Sequence, residues 1–194
     1  MQGSWSPSVR SWLRIIRGIW AGEALTSPGK RVRPTQELVR DAWMSYLAQE
    51  LERARIVDLF AGSGSLGLEA LSRGAASVDF VDQSGEALHA LKANVARRKL
   101  RPPKKGVPLE KGRRSARIFK RDVIPFVERL QAGAYDIAFA DPPYGSRKLD
   151  RVLAHWQELP FSPTLCVEHA PDHPVPAGAH QLRFESSFVT IYRA

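Results

Sequence analysis

Short apolar runs alternate with amphipathic stretches from residue 55 to the carboxyl terminus. The runs have the length and composition of buried strands, and they lie at 56–60, 78–81, 118–119, 135–140 and 164–167. Between them, apolar residues recur at helical spacing, over 66–71, 87–96, 123–130 and 149–156. Because a strand-helix-strand alternation places successive strands parallel, the pattern predicts an α/β fold with helices on both faces of a mostly parallel sheet.

The last two predicted strands break this alternation. They lie at 182–184 and 188–192, and the residues between them are too few for a connecting helix. They are therefore expected to pair as an antiparallel hairpin. The complete pattern predicts a seven-stranded sheet that is Rossmann-like, with an antiparallel hairpin at its carboxyl-terminal end.

The amino-terminal segment is predicted to be an extension of the main domain. Two short apolar segments, 13–18 and 22–25, predict a small basic β-hairpin, and a loop over 27–34 follows. Thr35 is expected to cap a helix that packs on the main domain. The apolar stripe of that helix comprises Val39, Trp43 and either Tyr46 or Leu47. We thus expect an extension at 1–35 and a main domain at 36–194.

Charge indicates the kind of partner. The chain has 194 residues with 43% hydrophobic content, which suits one globular domain with a sizeable core. Its 29 Lys and Arg against 20 Asp and Glu give a net charge of +9. Such a surface attracts polyanions, so RNA or DNA is the leading partner and a merely basic soluble protein is the alternative.

Cysteine use and hydropathy indicate the compartment. Cys166 is the only cysteine, which excludes an intramolecular disulfide and a thiolate metal cluster. No stretch approaches the roughly 18 apolar residues that a membrane span requires, and the amino terminus does not resemble a signal peptide. The spacing of the histidines does not suggest a zinc site either. We expect a cytosolic monomer without a membrane segment or a metal.

A basic, proline-bearing stretch lies between Arg97 and Arg117. Its cations occur in pairs before the third strand of the main domain. It predicts an exposed loop, which is either simply solvated or an arm that contacts phosphates.

A glycine-rich turn follows the first strand of the main domain. Gly62, Gly64 and Gly67 have the G-x-G-x-x-G spacing that lets a ligand approach the backbone. Asp82 ends the next strand about twenty residues later, where a carboxylate can accept hydrogen bonds from both ribose hydroxyls. The motif predicts a cofactor that contains a nucleoside.

Asp58 helps to identify that cofactor. A carboxylate at the mouth of the turn repels a pyrophosphate, but it suits the cationic amino and sulfonium end of S-adenosylmethionine. Asp122 follows the third strand, where it could bind the adenine amino group or simply cap a helix. The candidate cofactor-binding residues are Asp58, Phe60, Ala61, Gly62, Ser63, Gly64, Asp82, Gln83, Asp122 and Val123.

The most specific motif follows the fourth strand. Asp141, Pro142, Pro143 and Tyr144 stand at its carboxyl end, on the same edge of the sheet as the cofactor turn. Two acceptors, the Asp141 carboxylate and the Pro142 carbonyl, can hold the hydrogens of a base amino group and favour its tetrahedral geometry. Tyr144 offers a face on which a flipped base can stack. This motif predicts methylation of an exocyclic amino group.

These residues resemble those of the class I methyltransferases that modify amino groups. The segment from Leu13 to Gly18, with Gly22 and the run Arg33-Pro34-Thr35 ahead of the glycine-rich turn, is similar to the bacterial RsmD family. That resemblance covers nearly the whole chain. It implies a class I fold with an RNA-facing hairpin, and methylation of a guanine N2 amino group in 16S ribosomal RNA, of the guanine-966 type.

The resemblance also implies where the substrate and cofactor bind. Arg33 and Thr35 would border the cofactor pocket or the substrate entrance, and the substrate would be ribosomal RNA, presented in whole or partly assembled small subunits. The candidate RNA-binding residues are Arg14, Arg17, Arg33, Arg97, Arg98, Lys104 and Lys105.

Three other functions are compatible with parts of the sequence. They are a DNA adenine or cytosine amino methyltransferase, a nicotinamide-dependent dehydrogenase, and a non-catalytic ribosome-assembly factor. The dehydrogenase leaves the segment from Asp141 to Tyr144 and the basic charge unexplained. Glu168, at the end of the fifth strand, is either a structural partner or a pocket residue.

Overall fold

Seven strands form one mixed sheet in the computed structural model, which describes residues 13–27, 34–103, 110, 112–178 and 180–194. They are β1 Arg55–Leu59, β2 Ser77–Asp82, β3 Ser115–Lys120, β4 Ile137–Ala140, β5 Thr164–His169, β6 His180–Arg183 and β7 Phe188–Arg193. Their order is β3-β2-β1-β4-β5-β7-β6. The first five are parallel, and β7 is antiparallel to both of its neighbours. The predicted α/β architecture and the carboxyl-terminal hairpin are confirmed.

Helices cover both faces of the sheet. They are α1 Pro34–Tyr46, α2 Ala48–Leu51, α3 Ser65–Ser72, α4 Gly85–Arg97, α5 Val123–Val127 and α6 Lys148–Glu158. The alternating side chains of the strands feed two separate apolar clusters. One joins the sheet to the hairpin and to α1 to α4, and the other joins it to α5 and α6. Trp43 is fully buried in the first cluster, as its helical stripe predicted.

Two predicted helix boundaries are wrong. The first helix begins at Pro34, so Thr35 lies inside it and is not its cap. A proline is favoured at the start of a helix, because the N–H group that proline lacks would have no partner in the first turn. Helix α5 ends at Val127 because the N–H groups of Arg129 and Leu130 bond three residues back, which tightens the chain into turns.

The amino-terminal hairpin has one bridge pair and no extended strands within its described residues. Arg14 and Ala24 form that bridge, and the Leu25 N–H donates to the Leu13 carbonyl at 2.6 Å. Residues 13–15 bond across the hairpin to residues 22–25, but the first predicted strand does not continue to Gly18 because the N–H groups of Ile16 and Arg17 bond to α3 instead. The division of the chain at residue 35 stays a prediction.

Glu69 and Ser72 of α3 hold the hairpin. The fully buried Glu69 carboxylate accepts the N–H groups of Ile16 at 2.7 Å and Arg17 at 2.9 Å. Ser72 accepts the N–H of Ile19 at its carbonyl, at 3.0 Å, and its hydroxyl donates to the Arg17 carbonyl at 2.6 Å. Gly18 has φ +87°, and a Cβ there would lie 2.0 Å from the Ser72 carbonyl oxygen. Only glycine fits this contact.

Within the described residues, no helix has the length and apolar character needed to cross a membrane.

Candidate active site

A cavity of about 860 Å³ opens at the carboxyl ends of β1, β2, β4 and β5. Here the strand order changes direction: from β1 the chain adds β2 and β3 on one side of the sheet, and β4 and β5 lie on the other side. Ligands of open α/β sheets bind at such switch points. The glycine-rich turn lines one side of the cavity, and Asp141, Pro142, Pro143 and Tyr144 line another. The structure therefore brings the two predicted motifs together.

The glycine-rich turn is built from left-handed backbone. Phe60, Gly62 and Gly64 have φ values of +63°, +56° and +80°, and Gly64 caps α3. Gly67 lies in the first turn of α3, and there glycine is required by lack of space and not by the backbone angle. A Cβ there would lie 2.5 Å from the Phe80 ring and 3.0 Å from a carboxylate oxygen of Asp58. Phe60, Ala61, Gly62 and Ser63 line the cavity, whereas Gly64 shapes the turn behind it.

Asp58 is buried at the base of the cavity with only 1% of its surface exposed. Its Oδ2 accepts the Gly67 N–H at 3.0 Å, and within the described residues its Oδ1 has no hydrogen-bond partner. Burial raises the pKa of this carboxyl to about 8, and the charge of Asp82 adds to the effect. A buried acceptor without a partner is costly, so this oxygen suits a ligand that brings a donor or a positive charge.

Asp82 is fixed by the backbone on two sides. Its Oδ2 accepts the Gly62 N–H and its Oδ1 accepts the Ser84 N–H, each at 2.8 Å. Each carboxylate oxygen keeps a second lone pair, and the half-buried side chain faces the cavity beside Gln83. This geometry suits a ribose diol.

Asp122 does not line the cavity, whereas its neighbour Val123 does. The Asp122 carboxylate caps α5, accepting the Ile124 N–H at 3.0 Å, and pairs with Lys148 at 2.7 Å. These bonds, led by that to Lys148, lower the pKa of the Asp122 carboxyl. The structure shows Asp122 as a helix cap, and its contact with the adenine amino group stays a prediction.

Asp141 opens into the cavity but is surrounded by protein. Although its side chain is exposed to the cavity, loss of bulk solvent raises its pKa well above the usual range, and the charges of Glu168 and Asp58 raise it further. Pro142 beside it is buried, whereas 59% of the Tyr144 surface is exposed. A carboxyl with a raised pKa holds a proton more readily than an ordinary aspartate does.

Glu168 lines the cavity. Of the two placements that the sequence allowed, a structural partner or a pocket residue, the structure shows the second. The Tyr144 hydroxyl donates to Glu168 Oε1 at 3.5 Å, and the Ser187 hydroxyl bonds to the same carboxyl. Desolvation raises the Glu168 pKa. Two carboxyls, Asp141 and Glu168, thus lie on one wall of the cavity.

Sequence reasoning missed several residues of the cavity. Ser186 and Ser187 reach it because β7 runs antiparallel to β5, which puts the turn between β6 and β7 at the carboxyl edge of the sheet. The signal was present, since two serines occupy the turn of the predicted hairpin. From the first helix, the residues that line the cavity are Val39, Arg40 and Trp43. Thr35 precedes them by one to two turns, and its side chain lies outside the described part.

The arginines that were predicted to bind RNA differ in how strongly other residues of the protein bind their side chains. Arg14 and Arg17 are exposed but pair with Glu37 at 3.4 Å and Asp41 at 2.8 Å. Arg97 donates to the Ala24 carbonyl at 2.9 Å.

The prediction that Arg98 contacts RNA does not agree with the structure. Only 1% of its side chain is exposed, and it pairs with Glu23 at 3.0 Å, so it supports the hairpin and cannot reach a phosphate from this position. The predicted loop from Arg97 also ends earlier than Arg117, which lies in β3 and pairs with Asp79. Arg33, Lys104 and Lys105 lie outside the described residues.

Across the part of the chain that the structure describes, no three His, Cys, Asp or Glu side chains converge as a metal site.

Comparison with known proteins gives the family. Residues 13–185 match the family described as conserved hypothetical protein 95. Ribosomal RNA small subunit methyltransferase D of Haemophilus influenzae is 31% identical over 143 residues, which are 72% of this chain and 67% of that protein.

Solved structures share the fold. A hypothetical protein of Thermus thermophilus, TTHA0928, superposes with a TM-score of 0.74 at 27% identity, over 93% of this chain and 99% of that one. The 16S rRNA N2 G1207 methyltransferase RsmC of T. thermophilus, solved with AdoMet and guanosine, gives a TM-score of 0.62 at 17% identity. That match covers 88% of this chain and 45% of RsmC, and it shows the fold alone. The chain therefore belongs to the RsmD family and has the fold of the class I methyltransferases.

Proposed function

We propose that the protein transfers a methyl group from S-adenosylmethionine to the exocyclic N2 amino group of a guanine in 16S ribosomal RNA, guanine 966, within the small subunit. The observation that carries this proposal is the position of Asp141 and Pro142 at the same cavity as the glycine-rich turn. The name of the Haemophilus influenzae relative supports ribosomal RNA as the substrate.

The cavity fits the proposed cofactor. Asp58 Oδ1 is a buried acceptor that lacks a partner among the described residues, and a cationic amino group would supply one. Asp82 would hold the ribose, and Val123 offers an apolar contact for the adenine. When bound, S-adenosylmethionine supplies an electrophilic methyl group on a cationic sulfur. A pyrophosphate would instead meet the Asp82 carboxylate and would bring no donor for Asp58 Oδ1, which argues against a dinucleotide.

Asp141 and Pro142 prepare the nucleophile. The lone pair of a base amino group is delocalised into the ring, so that group attacks only when its nitrogen becomes more tetrahedral. The Asp141 carboxylate and the Pro142 carbonyl can each accept one of its hydrogens and so favour that geometry. Tyr144, which is largely exposed at the mouth, gives a flipped base a face to stack on. These residues position the amino nitrogen for direct attack.

Asp141 also receives the proton that the amino group loses. A methylated amino nitrogen must lose one hydrogen, and a carboxyl with a raised pKa holds that proton better than an ordinary aspartate does. The neighbouring Glu168 contributes to this property through its charge.

The proposal is tested by transfer of labelled methyl from S-adenosylmethionine to small-subunit particles, free 16S RNA and duplex DNA from cells that lack this activity. Nucleoside analysis then identifies the product. We expect N2-methylguanosine in the ribosomal RNA. Methylated adenine or cytosine in DNA would assign the chain to the DNA amino methyltransferases, and no transfer to any substrate would support a non-catalytic assembly factor.

Cofactor binding is expected to release protons at pH 7. The carboxyl of Asp58, with a pKa of about 8, is mostly protonated in the free protein, and a bound cation favours its ionised form. Affinity should therefore rise as the pH increases from about 6 to about 8. Calorimetry in buffers of different ionisation enthalpy measures the released protons.

The Asp58→Asn variant provides the control, because an amide cannot titrate in this range. It should bind more weakly and release fewer protons than the wild type. Proton release that is unchanged by this substitution would assign the titration to another group of the cavity, for which Asp141 is a candidate.

Two exposed arginines flank the mouth of the cavity. Arg121 follows β3 and precedes Asp122, and Arg147 precedes Lys148 at the start of α6. The Lys148–Asp122 pair, at 2.7 Å, ties these two junctions together. In the described part of the chain neither arginine side chain has a hydrogen bond or an ion pair. We propose that they contact RNA phosphates, as Arg14 and Arg97 at the hairpin would.

Charge reversal at both positions, Arg121→Glu with Arg147→Glu, should weaken RNA binding more at low salt than at high salt. The slope of log affinity against log salt concentration should fall by about two, one for each lost phosphate contact. Filter binding over a salt series measures it.

The matched control reverses Arg53 and Arg129, which are exposed at the opposite edge of the sheet. That variant has the same net charge. Equal losses of RNA affinity in the two double variants would mean that binding depends on the total charge of the protein and not on Arg121 and Arg147.

A further inference from the structure

We infer that Glu168 selects guanine by accepting the hydrogen of the ring nitrogen N1, next to the amino group that Asp141 holds. This inference rests on the proposed function and names the group that gives it base specificity.

The sheet register puts the two carboxyls side by side. Ala140 of β4 pairs with Val167 of β5, so the residues that follow them, Asp141 and Glu168, are the next pair along two adjacent parallel strands. Adjacent strands lie about 4.8 Å apart. Both side chains line the cavity, and the charge of Glu168 reaches Asp141 strongly enough to raise its pKa. One flat base edge can therefore contact both carboxyls.

Glu168 is held by two hydroxyl groups at the place where a base would stack. Tyr144 donates to its Oε1 at 3.5 Å, and Ser187 bonds to the carboxyl from the turn between β6 and β7. Since Tyr144 is the proposed stacking surface, a base on that ring presents its edge toward Glu168. A carboxylate that already accepts from two hydroxyls still has free lone pairs for a substrate donor.

The chemistry of the bases makes this second carboxylate selective. In guanine the ring nitrogen beside the amino group carries a hydrogen, so N1 and N2 present donors side by side. In adenine and cytosine the corresponding ring nitrogen presents a lone pair, which a carboxylate repels. A carboxylate at this position therefore favours guanine and disfavours the other two amino-bearing bases.

The experiment replaces the target guanine by 2-aminopurine, which keeps the amino group but has no hydrogen on N1. The RNA is assembled by ligating a synthetic segment that carries either base, and it is used in the free or subunit-bound form that the wild type accepts. Wild-type protein should methylate guanine at least about tenfold faster than 2-aminopurine, as expected for loss of a hydrogen bond to a charged group.

Glu168→Ala should remove most of this preference. The rate on guanine should fall, and the rate on 2-aminopurine should stay the same or rise because the repulsion of its N1 lone pair is removed. Retained 2-aminopurine methylation also shows that the variant is folded. In Glu168→Gln the amide can donate to the unprotonated nitrogen, so the ratio should fall further or invert. The control Glu185→Ala changes an exposed acid in the neighbouring turn that does not line the cavity, and it should keep the wild-type ratio.

Two results would overturn the inference while leaving the proposed function intact. One is equal wild-type rates on guanine and 2-aminopurine, and the other is a parallel loss on both bases in Glu168→Ala and Glu168→Gln. A wild-type protein that methylates no guanine-bearing RNA would instead contradict the proposed function, and the inference would fail with it.

Discussion

Asp141→Ala is expected to slow methyl transfer by about 10²–10³-fold while the cofactor still binds. In the proposed mechanism, Asp141 contributes one of the two acceptors for the base amino group and the site that receives its proton. The proposed cofactor contacts lie on other strands, at Asp58 near the end of β1 and Asp82 at the end of β2. Single-turnover rates measure the first effect, and calorimetric titration with S-adenosylmethionine measures the second.

Two further variants separate the roles of Asp141. Asp141→Asn keeps a carbonyl acceptor but holds no proton at neutral pH, so its activity should lie between those of the wild type and the alanine variant. Asp172→Ala removes an exposed aspartate that does not line the cavity and should behave as wild type. Parallel loss of cofactor affinity and rate in Asp141→Ala would place this carboxylate in the cofactor site instead.

Glu69→Ala is expected to lower the free energy of unfolding by about 3–5 kcal/mol. The Glu69 carboxylate is fully buried and bonds to Arg73 at 2.7 Å, with the buried Arg40 at 3.7 Å. It also accepts two backbone N–H groups of the hairpin. Its removal leaves these donors and a buried guanidinium without their acceptor. Urea denaturation followed by circular dichroism measures the change.

An exposed pair provides the comparison for Glu69. Glu128 pairs with Arg151 at 2.9 Å, and about half of each side chain or more is exposed, at 49% and 62%. Glu128→Ala should cost less than about 1 kcal/mol because solvent screens this pair. Similar values for the two variants would show that the hairpin is held mainly by its apolar contacts through Leu13, Ile15 and Leu25.

The elements with strong local signals were predictable. Apolar runs located the central strands, because burial on both sheet faces requires nearly continuous apolar residues, and shorter apolar pairs located the edge strands β3 and β6. The glycine-rich turn and the segment from Asp141 to Tyr144 were also found, since each has its own local spacing. Their meeting in one cavity followed from the rule that parallel strands end at the same edge.

Features that depend on distant partners were not predictable. The hairpin bonds across itself only near Leu13, Ile15 and Leu25. Further along, Glu69 and Ser72, more than fifty residues later, take its N–H groups. Arg98 looked like an RNA contact because sequence reveals a charge but not its burial beside Glu23. Arg121 and Arg147 have no ion pair among the described residues. This also could not be predicted, because it depends on where the fold positions the acidic residues.

The docking of the hairpin on α3 has a consequence for how the family can diversify. The contacts of Glu69 and Ser72 engage main-chain atoms of the hairpin, so they are indifferent to its side chains, apart from the space that Gly18 must leave. The exposed side chain of Ile19 can therefore change without loss of these contacts. Substitution of exposed hairpin side chains should therefore leave the main-chain contacts with α3 intact.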